Sequence, residues 1–275
     1  MTDPRAALEA IGQLPDTEID IGNAALQLAR VDAPNSDWHA ARRHLTDLAQ
    51  GAVALAASME GQALQARAKA LSDFLADHHG YVGDTESYDD LANANLIRVI
   101  ERRRGLPVAL GVIWMHSARA AGWGSHGVDF PAHFLIALEG HKTQVVLDVF
   151  NRGQLMTARD LRELLKRVEG KNAELRPGLL QPMSTRRVLL RLQNNIMTRR
   201  LQTGDMDAGL RCTEDMLRIA PDQAELWRQS GVLNQKLDRV AAARMCYERF
   251  ISLVPEGAAA DAVRVQLDIL KSMLN

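Results

Sequence analysis

The carboxy-terminal part of the chain repeats itself with a period of 34 residues. At that shift Cys212 aligns with Cys246 and Pro221 aligns with Pro255. Further aligned pairs are Glu214 with Glu248, Leu217 with Ile251 and Ile219 with Leu253. A single helical hairpin cannot bury its apolar face alone, so a repeat of this length predicts stacked helix-turn-helix units that share one core.

This part of the chain resembles tetratricopeptide repeats, which have the same period. Residues at consensus-like spacing are Trp227, Gly231, Ala243, Tyr247 and Pro255. We predict two repeats and a final helix over 260–274, in an all-α domain that spans 183–275. Because Cys212 and Cys246 take equivalent positions on the second helix of each repeat, we expect both to pack against neighbouring helices rather than to react.

Composition excludes several classes of function. The 275 residues include 33 basic and 34 acidic side chains, so the chain has no overall field that would favour nucleic acid or an anionic membrane. The sequence opens without a signal peptide, and no run of 18 apolar residues lacks a charge. Two cysteines without a CxxC pair indicate neither a disulfide scaffold nor a zinc site. We therefore expect a cytoplasmic protein without a metal or cofactor.

Helices should dominate the region before the repeats. Segments rich in Ala and Leu over 5–75 are strong helix formers at helical spacing. A short helix is expected over 96–103, and a second should begin at Pro107, whose fixed φ suits a first helical turn, and continue to about residue 121. This second helix is apolar on nearly all sides, which predicts a central, buried position.

A strand-like pattern follows in segments 130–138 and 145–150, which predicts a β-hairpin. A turn centred on Gly140-His141 would pair residues whose numbers sum to 281. His133 and Asp148 satisfy that sum, and directly opposed side chains have Cβ atoms about 4.5–5.5 Å apart. Register alone therefore predicts a carboxylate beside the imidazole.

A helix over 158–168, introduced by Thr157 and Asp160, closes this region. The Pro- and Gly-containing stretch that follows is typical of a connection between domains. We predict a first domain over 1–170, a linker over 171–182 and the repeat domain over 183–275.

Several motifs of this chain, including those around Pro107, His133 and Asp148, resemble motifs of the SirB-type proteins, over roughly residues 20–275. The matching stretches are 93–96 leading to 102–110, then 127–135, then 147–153, with 188–195 and the paired repeats in the second region. The resemblance implies an α+β fold with a transglutaminase-like, cysteine-protease-like core, in which helices pack on an antiparallel sheet, followed by the tetratricopeptide-like domain. The chain departs from the family's Pro-Gly-His and Asp-Pro-Phe patterns at Ala132 and Val149.

The resemblance implies that His133 and Asp148 are two members of a Cys-His-Asp triad. Such a site needs a thiol at a helix start, an imidazole that accepts its proton and a carboxylate that fixes the imidazole tautomer. The expected helix start holds Pro107, Val108, Ala109, Leu110 and Gly111, none of which can attack a carbonyl.

The sequence leaves three hypotheses about function open. The leading hypothesis is a protein-interaction or regulatory protein whose transglutaminase-like domain lacks its nucleophile. The rival is a hydrolase or acyl-transferase in which His133 and Asp148 activate water or an unrecognised hydroxyl, and the third is an inert structural adaptor. A hydrogen-bonded His-Asp pair also stabilises a hairpin without any substrate, so the pair itself is either structural or functional.

Other candidates have weaker support. Ser117 lies about three turns into its helix and Ser125 lies in a loop with glycines, so neither is favoured as a nucleophile. Adjacent His78 and His79 would point apart, which disfavours a metal site. The run 102–104 of three arginines is read as a solvated helix end rather than a phosphate site.

The paired repeats predict a shallow groove that holds a protein or peptide partner. Its proposed polar lining is Asn194, Asn195, Arg199 and Asn234. Simple docking of the repeats onto the first domain is the alternative.

Overall fold

A computed structural model describes residues 3–274, the side chains of 3–272 among them. The chain divides into two compact units. Pro15–Leu192 forms the mixed unit, and Met1–Leu14 together with Gln193–Asn275 forms the helical unit. Among the described residues, no helix has both the length and the apolar character needed to cross a bilayer.

Helices account for most of the regular structure. In chain order they are α1 (Pro4–Gly12), α2 (Ile21–Asp32), α3 (Trp38–Ser58), α4 (Leu64–Ser72), α5 (Leu96–Arg102), α6 (Pro107–Ala120), α7 (Ala158–Glu169), α8 (Thr185–Gln202), α9 (Met206–Ile219), α10 (Ala224–Lys236), α11 (Val240–Leu253) and α12 (Ala258–Leu274). A π-helical turn, Asp73–His78, follows α4, and short 3-10 turns cover Asp16–Glu18 and Leu91–Asn93.

The strands all lie in the mixed unit. They are β1 (Val82–Gly83), β2 (Arg104–Gly105), β3 (Ser125–Phe130), β4 (His133–Gly140), β5 (Thr143–Asp148), β6 (Gln154–Met156) and β7 (Pro182–Met183). β1 and β2 form a parallel pair, and the others form an antiparallel sheet in the order β6-β5-β4-β3-β7.

The two faces of this sheet are covered by different helices. Gly111 of α6 lies against the ring of Phe134 on β4, and α6 is buried along its first nine residues, as its apolar sequence predicts. On the other face, Leu161 and Leu165 of α7 join a core cluster with residues of β3, β4 and β5. The predicted α+β architecture of helices on an antiparallel sheet is confirmed.

The hairpin register differs from the predicted one. Ile136 pairs with Leu147, and Gly140 pairs with Thr143, so opposed residues of β4 and β5 sum to 283 rather than 281. The turn is made by His141 and Lys142, with Lys142 in the left-handed region at φ 58°. The prediction was wrong because it assigned the turn to the glycine, which lies at the end of β4 instead.

The helical unit consists of stacked hairpins. α10 and α11 pack against each other, α9 contacts α10, and α12 packs against α11, so the predicted repeats and final helix are found. Tyr247 and Phe250 of α11 form a core with Val263, Leu267 and Leu270 of α12.

These two units do not follow the predicted boundaries of 1–170, 171–182 and 183–275. α1 buries Leu8 and Ile11 and packs on α9, so the first helix belongs to the helical unit. The predicted linker is part of the mixed unit, because Leu179 and Leu180 pack on the core beneath α7 and β7 pairs with β3. Long-range apolar contacts of this kind leave no local pattern in the sequence.

Candidate functional site

His133 and Asp148 meet at one end of the central sheet. Nε2 of His133 lies 3.1 Å from Oδ1 of Asp148, and their side chains are 18% and 5% exposed. Nε2 is shielded from solvent and lies in close contact with the carboxylate oxygen, without the alignment of a hydrogen bond. The predicted contact between these two side chains is therefore present, and their part in a triad stays a prediction.

The contact is diagonal rather than direct. Continuing the observed register puts Leu135 opposite Asp148, and His133 lies two residues before Leu135 on the same face of the sheet. Diagonal neighbours are about 7–8 Å apart at Cα, which long side chains span. The predicted and observed registers differ by two residues. Because side chains alternate between faces with a period of two, His133 and Asp148 still lie on the same face and can touch.

A tight turn fixes the backbone of His133. Phe130 pairs with His133 across β3 and β4, and Pro131 and Ala132 form the two-residue turn. Ala132 adopts φ 52°, in the left-handed region that usually requires glycine. This is the position where the SirB-type pattern has glycine, so the departure noted in the sequence falls on a residue with a strained backbone.

Asp148 uses its carboxylate mainly to hold the next turn. Oδ1 accepts hydrogen bonds from the backbone N–H groups of Phe150 (3.1 Å) and Asn151 (3.3 Å), and Oδ2 accepts one from the side-chain amide of Asn151 (2.6 Å). Burial raises the pKa of Asp148, but contact with His133 and the bonds from Asn151 lower it more, so the net pKa lies below its usual value. The Asp-x-x-Asn spacing is a turn signature that sequence reasoning overlooked.

A second histidine-carboxylate pair occurs on the same sheet. Nδ1 of His126 lies 2.7 Å from Oε1 of Glu139, and His126 is 7% exposed. His126 pairs with Ala137, so Glu139 is again the diagonal neighbour two residues away. Sequence reasoning missed this pair, although correct strand bounds and the period of two would have found it.

The start of α6 carries no group able to act as a nucleophile. Its residues are Pro107, Val108, Ala109, Leu110 and Gly111, and all of them are buried. The thiols of the chain are Cys212 on α9 and Cys246 on α11, both buried in the helical unit, as expected of packing positions. Burial raises the pKa of Cys246, which keeps it in the unreactive thiol form.

The two serines considered as nucleophiles in place of a cysteine have no hydrogen-bonded base. Ser117 is fully buried on α6, and Ser125 is 7% exposed on β3 rather than in a loop. Neither hydroxyl oxygen makes a hydrogen bond within the described residues. A serine nucleophile needs a hydrogen-bonded base that takes its proton, and neither residue has one.

The three arginines at the end of α5 are partly solvated, as predicted, and each also makes specific contacts within the mixed unit. Arg102 contacts Asp84 at 2.8 Å, and Arg104 contacts Glu86 at 3.1 Å. Arg103 adopts φ 58° and bonds to the hydroxyl of Tyr81 and to His44. Arg102 and Arg104 therefore contact the loop that follows β1, whereas Arg103 contacts Tyr81 before β1 and His44 of α3.

His78 and His79 lie at the end of the π-helical turn. Their rings are perpendicular, with centroids 4.8 Å apart, and His79 packs edge-on against Phe74. Within the described residues, no group of three or more His, Cys, Asp or Glu side chains is arranged to hold a metal ion.

The four residues predicted to line a repeat groove lie on two helices, Asn194, Asn195 and Arg199 on α8 and Asn234 on α10. Arg199 donates to the backbone and side-chain oxygens of Asn195 on α8, both at 3.2 Å, while Asn194 is exposed. Asn234 is 4% exposed and bonds to Ser230. It lines a cavity of about 340 Å³ with residues of α9 and α11, and that lining contains none of the other three.

Known proteins share both parts of this chain. The sequence profile of the transglutaminase-like superfamily matches residues 39–194, and that of a tetratricopeptide repeat matches 197–268. A UPF0162 protein of Xylella fastidiosa is 33% identical over 72% of this chain and 72% of its own length. A UPF0162 protein of Pseudomonas aeruginosa is 29% identical over 91% and 90%, respectively. Protein SirB1 of Salmonella typhimurium is 22% identical over 90% of both chains.

Proposed function

The chain belongs to the transglutaminase-like superfamily, and from that premise we propose that it is a protein-interaction or regulatory protein without acyl-transfer catalysis. The transglutaminase-like unit acts as a scaffold, and the tetratricopeptide module supplies the contact with a partner. Tetratricopeptide repeats generally mediate protein interactions. We also propose a reducing compartment, the cytoplasm, because the two cysteines of the chain are buried thiols that are not joined in a disulfide.

The observation that supports this proposal most directly is the chemistry available around His133. The chain has thiols only at Cys212 and Cys246, and the helix start where the superfamily carries its cysteine is aliphatic from Pro107 to Gly111. An imidazole and a carboxylate activate a nucleophile but do not replace it. Acyl transfer through a covalent thioester therefore has no starting atom at this helix.

The state of Asp148 supports the same proposal. Both of its carboxylate oxygens already accept hydrogen bonds from the turn that follows β5. This carboxylate stabilises the turn whether or not a substrate is bound. A structural role accounts for its burial and for its lowered pKa without any reaction.

The experiment that tests the proposal compares the full chain with His133→Ala. Both are assayed for incorporation of a fluorescent amine into casein, for cleavage of a quenched peptide library and for hydrolysis of p-nitrophenyl acetate. We expect equal rates for the two proteins in every assay. Faster turnover by the native chain, with the same circular dichroism and melting curve for both, would establish the rival hydrolase or acyl-transferase that uses water.

The interaction half of the proposal has its own measurement. Tagged native chain and tagged His133→Ala are used to capture binding proteins, which are then identified and quantified by mass spectrometry. Because the imidazole is not the contact surface, both should capture the same partners in the same amounts. Failure of both proteins to enrich any partner would favour the inert adaptor instead.

A further inference from the structure

A cavity of about 530 Å³ lies in the helical unit between α10 and α12, with Tyr247 of α11 in its lining. From α10 it is lined by Arg228, Val232, Gln235 and Lys236. These positions follow the i, i+4, i+7, i+8 spacing of one helix face. Sequence reasoning missed this face because it sought polar residues on α8 and at Asn234.

Hydrogen bonds give the cavity a defined polarity. The buried hydroxyl of Tyr247 donates to Oε1 of Gln235 (3.0 Å), and Nε2 of Gln235 donates to Oε1 of Gln266 on α12 (3.3 Å). The amide NH₂ of Gln266 stands at the end of this relay. An amide that accepts through its oxygen still has N–H donors to offer. The relay therefore presents a donor, which suits a ligand that accepts hydrogen bonds.

The charged side chains of the cavity are both cationic. Arg228 and Lys236 line it, and no Asp or Glu does among the described residues. Arg228 donates through Nε and Nη2 to Glu225 one turn back, and because both side chains are exposed, such a pair contributes only about 0–1 kcal/mol. Lys236 forms no ion pair within the described part of the chain.

The helix sets the separation of the backbone positions that carry the two cations. Arg228 and Lys236 are eight positions apart, which at 1.5 Å per residue is about 12 Å along α10. In an extended chain four residues span about 13 Å, and residues i, i+2 and i+4 point to the same side. Two acidic side chains at i and i+4 would thus match both cations.

The rest of the cavity lining includes small apolar side chains. It combines Val232 of α10 with Ala259, Ala262 and Val263 of α12. Because these side chains of α12 are small, they leave room in the cavity for a side chain of the ligand. The residue at i+2 of an extended segment would point there, and a valine-sized side chain fits this lining by burying apolar surface.

We propose that this cavity binds an extended acidic segment of a partner protein, with two carboxylate side chains four residues apart and a small apolar side chain midway between them. The inference rests on the proposed function, because it names the class of partner that the tetratricopeptide module holds. A free carboxy terminus would supply one carboxylate and leave the second cation unmatched.

The test uses the full chain and fluorescent peptides with blocked termini, measured by fluorescence anisotropy. The probe has the core Glu-Ser-Val-Ser-Glu between Gly-Ser flanks. Its controls replace both Glu by Gln, replace both by Lys, or shift the second Glu by one residue, which turns it to the other side of the extended chain. We expect saturable binding of the probe that weakens with added salt, and weaker binding of every control.

Two variants locate the binding site. Lys236→Gln should weaken binding of the Glu probe roughly fivefold and leave the Gln control unchanged. The matched control is Lys171→Gln, an exposed lysine of the mixed unit, which should not change affinity. Ala262→Trp fills the cavity from an exposed helix position without altering charge and should abolish binding.

Several results would overturn the inference. They are no saturable binding of the Glu probe up to about 1 mM, equal binding of the Lys control, or unchanged binding by Ala262→Trp with its helical circular dichroism intact. None of these outcomes bears on catalysis. The proposed function fails instead when native turnover exceeds that of His133→Ala, so the two failures are separable.

Discussion

The turn that leads into His133 gives a stringent test of the local structure. Ala132 adopts φ 52° between Pro131 and His133. A left-handed backbone costs an L-residue about 1–2 kcal/mol, and glycine avoids that cost. Glycine also makes the unfolded chain more flexible, which costs about 0.4–1 kcal/mol. Ala132→Gly should therefore stabilise the mixed unit by about 0.5–1 kcal/mol.

The assay must report on the mixed unit alone. Trp227 lies in the helical unit, so Trp227→Phe provides a background in which the remaining tryptophans, Trp38, Trp114 and Trp123, report on residues 15–192. Urea unfolding followed by their fluorescence gives the free-energy difference. For a unit of this size, the melting temperature should rise by roughly 1–4 °C.

The same substitution in a helix supplies the control. Ala54 is exposed in α3, and Ala54→Gly should destabilise the mixed unit by about 1 kcal/mol. The two alanine-to-glycine changes thus have opposite signs, because only one backbone is left-handed. Destabilisation of similar size at both positions would refute the left-handed conformation of Ala132. It would also refute the explanation that the family's Pro-Gly-His pattern has glycine there because the backbone is left-handed.

Further predictions concern packing and charge in the mixed unit. A Cβ at Gly111 would lie 2.3 Å from the aromatic ring that faces it on β4, so Gly111→Ala should cost about 1–3 kcal/mol in urea unfolding. Burial and the adjacent Arg103 lower the pKa of His44 to about 4, so stability should fall as the pH drops from 6.5 toward 4, and NMR titration of Arg103→Leu should show that pKa raised part of the way back. Hydrogen bonds from the turn that follows Asp84, led by a backbone N–H, lower its pKa to about 2. Its stabilisation is therefore present above about pH 4 and lost toward pH 2, and the urea midpoint of Asp84→Asn should vary less over that range.

Elements marked by strong local chemistry were predictable from the sequence. Proline at the first turn placed the start of α6 at Pro107, where the structure has it. Thr157 and Asp160 form a complete capping box at the start of α7. The period of 34 found the repeat helices and the buried environment of Cys246.

Features that depend on tertiary contact were not predictable. The β4–β5 turn uses Lys142 in the left-handed region, and lysine carries no sequence preference for that conformation. α1 is an amphipathic helix whose apolar face does not identify its partner, so its packing on α9 leaves no local pattern. The contacts of Arg103 were not predicted, because its partners, Tyr81 and His44, are distant in sequence.

The recurrence of one diagonal arrangement bears on how His133 should be understood. His126 meets Glu139, and His133 meets Asp148, each across neighbouring strands with an offset of two residues. Only the second pair lies in the motif that resembles the superfamily's triad, yet both supply a largely buried imidazole with a carboxylate. Burial of an imidazole without a polar partner is costly, so a sheet that shields two histidines needs two such pairs for stability alone. Contact with a carboxylate therefore does not distinguish a catalytic histidine from a structural one in this fold. A catalytic His133 would need a nucleophile to activate, and because the side chains at the start of α6 are aliphatic, that nucleophile would have to be water or a hydroxyl from elsewhere.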